Sequence, residues 1–189
     1  MGVQNSKLKP KVLADLLQQT EFSREEIKEW YRGFRKDYGK GYITIDEFKK
    51  IYDEFYPDGD GDAFAEHTFR IFDRNHDGKI DFREFISGLS ISSRGSYEEK
   101  MTWLFDLYDT NANGFISKDE MLVIIKSVFQ MSDNKSHKID PTLAESRVEK
   151  IYEKLDRNLD GLLSLEEFIE LGRTDPTLCH VLTGDMAEY

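Results

Sequence analysis

Three windows of this chain, each twelve residues long, repeat one pattern: "DRNHDGKIDFRE" from 73, "DTNANGFISKDE" from 109 and "DRNLDGLLSLEE" from 156. Asp stands first, Asn third, Asp or Asn fifth, Gly sixth, an aliphatic residue eighth and Glu twelfth. Oxygen donors on alternate positions of a loop pinched by glycine can be aimed at one point. A hard divalent cation wants about six to eight such oxygens. The glycine supplies the positive φ that the pinch requires. Few sequence features constrain a fold this tightly, because each loop also has to be held between two helices.

The windows are EF-hand loops, and their spacing assigns the ligands. In the loop from 73 these are the side chains of Asp73, Asn75 and Asp77, the Lys79 carbonyl, Asp81 directly or through water, and bidentate Glu84. The loop from 109 offers Asp109, Asn111, Asn113, the Phe115 carbonyl, Ser117 and Glu120. The loop from 156 offers Asp156, Asn158, Asp160, the Leu162 carbonyl, Ser164 and Glu167. Calcium at three sites is the expected cofactor, with Mg2+ as a second occupant of the calcium-free protein. Three bound ions would set six positive charges against a formal net charge of −11.

A fourth window, "KDYGKGYITIDE" from 36, keeps the glycine at 41, Ile43 and Glu47 but places Lys36, Tyr38 and Lys40 at the first, third and fifth positions. Ammonium groups repel a divalent ion, so this loop is expected to be silent. It serves as a structural partner for the next loop, with Glu47 as a helix cap. By contrast, "PDGDGD" at 57–62 imitates a loop start but lacks the turn glycine and the terminal acid, and reads as a polar turn with Asp62 as the N-cap of the following helix.

Apolar residues at helical spacing flank every loop. They include Ile27, Trp30, Tyr31 and Phe34 before the first, and Met101, Leu104, Phe105 and Tyr108 before the third. Ser23 with Glu26 and Ser96 with Glu99 form capping boxes, as do Thr44, Asp81, Ser117 and Ser164 with the glutamate ending each loop. Ligand residues therefore also start the exit helices. The loop starts lie 37, 36 and 47 residues apart. That pairs the first loop with the second and the third with the fourth, with Ser90 to Glu98 as the hinge. Position eight of each loop (Ile43, Ile80, Ile116, Leu163) should form a short antiparallel pairing within its lobe.

The expected fold is all-α, two lobes of paired EF-hands. Residues 1–22 hold a lipidation signal and an N-terminal helix, 23–92 the first pair, 93–175 the second and 176–189 a tail. "MGVQNS" fits N-myristoylation at Gly2, and Lys7, Lys9 and Lys11 make a basic tip suited to a membrane surface, since one acyl chain anchors only marginally. The acidic balance argues against nucleic acid. Four scattered histidines (His67, His76, His137, His180) and no nucleophile motif argue against an enzyme. The single Cys179 cannot form an intramolecular disulfide, which fits a reducing cytosol. No apolar run is long enough to span a membrane, and the N-terminus lacks the apolar core of a signal peptide.

The stretches "MGVQNSKL", "EWYRGF", "FDRNHDGKIDFREFI", "SRGSYEEKMTWLFDLYD", "NGFISKDEM" and "LDRNLDGLLSLEEF" resemble the neuronal calcium sensor family, in particular its hippocalcin, neurocalcin and visinin-like branch. The resemblance implies a calcium sensor that releases an acyl chain to membranes and opens a hydrophobic groove to target proteins. It further implies a cytoplasmic protein, peripherally membrane-associated when calcium is bound. The groove should be lined by Trp30, Phe34, Phe48, Ile51, Tyr52, Phe55, Phe85 and Leu89, ready for an amphipathic target helix. The protein would be a monomer or a calcium-dependent dimer. A calcium buffer that scarcely changes shape is the alternative with the same ligands. Family members usually carry Cys-Pro where this chain has Tyr38-Gly39, so no redox behaviour of that thiol carries over.

Overall fold

The structure is a computed structural model that describes residues 7–57, 59–132 and 141–174. Gly2, most of the "MSDNKSHKIDPT" segment and the tail from 176 lie outside the described residues. The described chain is helical, with two small two-stranded pairings. In order, the elements are α1 (Pro10–Gln19), α2 (Arg24–Asp37), β1 (Tyr42–Ile43), α3 (Ile45–Phe55), α4 (Asp62–Phe72), β2 (Ile80–Asp81) and α5 (Phe82–Arg94). They continue with α6 (Tyr97–Tyr108), β3 (Phe115–Ser117), α7 (Lys118–Ser132), α8 (Pro141–Leu155), β4 (Leu162–Ser164) and α9 (Leu165–Thr174).

The helix starts follow local chemistry. Glu26 N–H donates to Ser23 Oγ at 3.3 Å while Ser23 N–H donates to Glu26 Oε2 at 2.8 Å. Reciprocal boxes of the same form start α3 at Thr44, α5 at Asp81 and α6 at Ser96. Each satisfies amide donors that a helix start otherwise leaves without partners. Helix α4 differs from the sequence expectation. Its N-cap is Gly61, and Asp62 is already helical. The adjacent acid takes over part of the role, with Asp60 Oδ1 accepting the Asp62 N–H at 3.3 Å. A short aspartate two residues ahead reaches that donor as readily as a cap would.

The strands pair as the spacing predicts. Ile43 lies opposite Ile80 and Ile116 opposite Leu163, in antiparallel register. All four side chains are fully buried, which fixes the register because a one-residue slip would turn them outward. Of the segment expected as a hinge, Ser90–Arg94 forms the last turns of α5, leaving Gly95 and Ser96 between α5 and α6.

Two cores form, and α4 belongs to both. Its Ala65 and Phe69 pack with Leu16, Ile27, Phe34, Phe48 and Ile86. Its Phe64 and Ile71 pack instead with the core of the third and fourth loops, among Trp103, Tyr108, Ile124 and Met131. The turn before α4, which imitates a loop start, docks on the C-terminal end of α7: Asp60 N–H donates to the Gln130 carbonyl at 2.9 Å. Gly59 sits so close to the Met131 carbonyl that a Cβ there would overlap it. The acidic turn thus caps the far helix, whose last carbonyls lack partners of their own. Helix α1 is held to α5 by Arg83 Nη2 and Asp15 Oδ2, 3.2 Å apart. After α1, Glu21 N–H donates to Ser90 Oγ at 2.9 Å.

Candidate metal centres and the aromatic wall

In each acidic loop the first aspartate folds the backbone around its own carboxylate. Asp73 Oδ1 and Oδ2 accept from the N–H groups of Asp77 (3.1 Å) and Gly78 (2.9 Å). Asp109 does the same with Asn113 (3.1 Å) and Gly114 (2.8 Å), and Asp156 with Asp160 (3.1 Å) and Gly161 (2.8 Å). The fifth residue then accepts from the N–H of the seventh: Lys79 to Asp77 at 3.0 Å, Phe115 to Asn113 at 2.9 Å, Leu162 to Asp160 at 2.8 Å. Such bonds turn the N–H groups inward to the acids.

The glutamate at position twelve closes each loop. Glu84 accepts from the N–H of Asn75 (3.3 Å) and of Asp81 (3.0 Å). Glu167 accepts from Arg157 N–H (3.4 Å) and from Ser164 N–H (2.9 Å) and hydroxyl (2.7 Å). Glu120 is the most heavily bonded. Its Oε1 takes the Thr110 N–H (3.1 Å), Thr110 hydroxyl (3.0 Å) and Asn111 N–H (3.2 Å), and its Oε2 takes the Ser117 N–H (2.9 Å) and hydroxyl (2.7 Å). The two environments polarise differently. Burial pushes the Glu84 carboxyl up, and the negative charges of Asp81 and Asp73 add to it. Burial also acts upward on Glu120, but the Ser117, Thr110 and Asn111 donors outweigh it and its carboxyl lies below the ordinary value.

Gly78, Gly114 and Gly161 have φ of 78°, 85° and 77°. The residues two places earlier, His76, Ala112 and Leu159, are also left-handed, with φ of 57°, 56° and 57°. Sequence reasoning missed that second kink. None of the three side chains marks it strongly, since alanine and leucine have no local hydrogen bond to offset the steric cost. Among the described residues no three Asp, Glu, His or Cys side chains are gathered into a metal-holding group. The third loop has only two carboxylates to contribute. The donor set nevertheless fits a hard cation: every side-chain and carbonyl donor assigned in the three loops is an oxygen, held on one repeated backbone frame.

The first loop keeps the frame differently. Gly41 has φ 89°, but Gly39 is not left-handed. Lys36 and Lys40 are exposed. Tyr38, at the third position, packs its ring 5.3 Å from Phe34 and joins the hydrophobic cluster. Glu47 Oε2 accepts the Thr44 N–H and hydroxyl, both at 2.9 Å, and these bonds lower its pKa. The loop places a half-buried ring at its third position while keeping its capping box and strand.

Among the expected groove residues the ring contacts fall into two sets, one between α2 and α5 and one between α3 and α4. Phe34 packs on Phe82 at 5.5 Å and Phe85 at 5.3 Å between ring centres, and Trp30 meets Phe85 edge-on at 6.1 Å. Phe48 contacts Tyr52, Phe69 and Phe72, and Tyr52 meets Phe64 edge-on at 5.8 Å. Phe34 and Phe48 are buried. Ile51, Tyr52, Phe85 and Leu89 are half-buried, whereas Trp30 and Phe55 are 41% and 62% exposed.

The pattern described as an EF-hand domain pair matches residues 38–90 and again 98–171. Neuronal calcium sensor 1 of Lymnaea stagnalis is 42% identical over 184 residues, 97% of this chain and 96% of that protein. Its counterpart in Aplysia californica is 44% identical over the same share of each. The chain belongs to the neuronal calcium sensor family. Human recoverin is similar too, 41% identical over 166 residues, 86% of this chain and 83% of its own. Family and donor chemistry agree on calcium as the cation. Among the described residues no helix is long and apolar enough to cross a membrane.

Proposed function

We propose that this chain is a calcium sensor working through loops two to four, with a lipid-linked N-terminus and an aromatic groove as its outputs. The supporting observation is partial exposure: Trp30 of α2 and Phe55 of α3 stand at the surface, while Phe34 and Phe48 of the same helices are buried. Bound calcium supplies two positive charges per site, enough to hold carboxylates that otherwise repel one another. Glu84, Glu120 and Glu167 each begin an exit helix as well as closing a loop, so their final positions set the angles of α5, α7 and α9. Loop one contributes no ligand and instead carries Ile43 against Ile80 and Tyr38 against Phe34.

In this reading the wall formed by Trp30, Phe34, Phe48, Ile51, Tyr52, Phe55, Phe85 and Leu89 opens to an amphipathic helix of a target protein. A myristoyl chain on Gly2, aided by Lys7, Lys9 and Lys11, brings the protein to membranes when calcium rises. Mg2+ is the ion for the loops at low calcium. The test compares acylated wild type with Gly2→Ala in liposome co-sedimentation, with and without calcium. Calcium should pellet only the acylated protein; equal pelleting of both would end the lipid-switch reading. If calcium raised neither pelleting nor binding of an apolar dye, the protein would be a buffer. Calorimetric titration should show three ions, one fewer for each of Glu84→Gln, Glu120→Gln and Glu167→Gln.

A further inference from the structure

Arg70 lies on α4, three residues before loop two, yet its polar contacts are with the start of loop three. Its Nη2 donates to the carbonyls of Asp106 (2.8 Å) and Leu107 (2.9 Å), and its Nη1 to that of Asp109 (3.1 Å). These carbonyls end α6, where a helix leaves its last acceptors without intrahelical donors. Asp109 is itself the first ligand of loop three. One guanidinium therefore fastens the entering helix of the second site to the first residue of the third. Half-burial pulls its pKa below the ordinary guanidinium value, and the negative charges of Asp109, Asp106 and Glu120 offset part of that cost.

The surrounding contacts make the joint stiff. Phe72, the last residue of α4, meets Trp103 of α6 edge-on, with ring centres 5.6 Å apart and planes at 90°. Ile71 packs into the core of the third and fourth loops. The joint is also imperfect. Arg70 Nε and Trp103 Nε1 are buried without a hydrogen-bond partner among the described residues. A buried donor left without a partner is costly, so the fork holds against a local penalty.

We propose that Arg70 is a positioning residue that couples calcium binding at loop two to calcium binding at loop three. The proposal rests on the ligand assignment of those two loops. A filled loop two fixes the end of α4. The three-carbonyl fork then holds the end of α6 and the backbone of Asp109 in place, so loop three binds from a frame already set. A planar guanidinium can address three carbonyls at once; an ammonium keeps the charge but not the fork.

The full chain allows each loop to be followed separately, because the amides of Gly78 and Gly114 donate to the first aspartate of their own loops at 2.9 Å and 2.8 Å. Calcium titrations followed by amide NMR would compare loop-three affinity with loop two active or silenced by Glu84→Gln, in wild type, Arg70→Gln and Arg70→Lys. In wild type, silencing loop two should weaken loop three by about fivefold or more, the lower end of ordinary coupling between sites. In both Arg70 variants the same silencing should change loop three by less than about twofold. A purely structural role would lower loop-three affinity and leave that ratio intact, overturning the proposal. Full coupling in Arg70→Lys would assign the effect to charge and overturn the fork. Equal loop-three affinity in wild type and Glu84→Gln would show that no coupling exists. If wild type bound no calcium at loops two and three, the ligand assignment itself would fall, a different failure from loss of coupling.

Discussion

Two glycines in helix interiors give opposite expectations for the same substitution. Gly33 in α2 has nothing within 4 Å of where a Cβ would stand. Gly33→Ala should therefore stabilise the calcium-free protein by about 0.8–1 kcal/mol, the ordinary helix-propensity gain. Gly88 in α5 faces Phe72, whose ring atoms occupy the space a Cβ would need. Gly88→Ala gains the same propensity but forces the ring to move, and overpacking of a close-packed interior costs about 1–3 kcal/mol. Set against the gain, the net effect runs from about zero to 2 kcal/mol of destabilisation. The two variants should thus differ by about 1–3 kcal/mol. Because Phe72 meets Trp103 edge-on, the displaced ring should also shift the emission of Trp103, which is 7% exposed. Trp30→Phe in the background removes the only other tryptophan. Urea unfolding followed by fluorescence measures both quantities. If Gly88→Ala were as stabilising as Gly33→Ala and left the emission unchanged, the packing of Phe72 against α5 would be wrong.

Other expectations follow from single contacts. Tyr152 donates its hydroxyl to the Ile116 carbonyl at 2.7 Å, joining the entering helix of loop four to the strand of loop three. Tyr152→Phe should cost the calcium-free protein about 1 kcal/mol in thermal unfolding, and an unchanged midpoint would count against the bond. Ile43→Ala removes a fully buried side chain paired with Ile80, so calcium binding should weaken most at loop two and hold at loop four. Equal weakening at all three would refute the local partnership. The Glu26 carboxyl is held at about 2, below its ordinary 4.5, by the hydrogen bond from Arg94 first and then by the Ser23 donors. A depressed carboxyl pKa lends stability that is complete above the unfolded value and lost as pH falls through the folded one. The advantage of wild type over Arg94→Met should therefore be full at neutral pH and shrink between about 4.5 and 2. A gap that widened with acid would reverse that reasoning.

The loops, their turn glycines, their capping glutamates and the pairing of position eight were legible in the sequence. Each depends on chemistry within about a dozen consecutive residues: oxygen donors at alternate positions, a glycine where the backbone must turn, a glutamate that closes the loop and caps the next helix. Short-range rules reached as far as the capping boxes at Ser23 and Ser96 and failed by one residue at Asp62, whose own N–H is taken by Asp60. Tertiary structure alone decided what touches what across the molecule. Nothing local marks Arg70 as a cap for α6, Gly59 as a seat for the Met131 carbonyl, or Phe64 as a core residue of the far lobe while Phe69 serves the near one. Those assignments depend on how α4 lies between two cores. Apolar spacing says only that a face will be buried, not which neighbour will bury it.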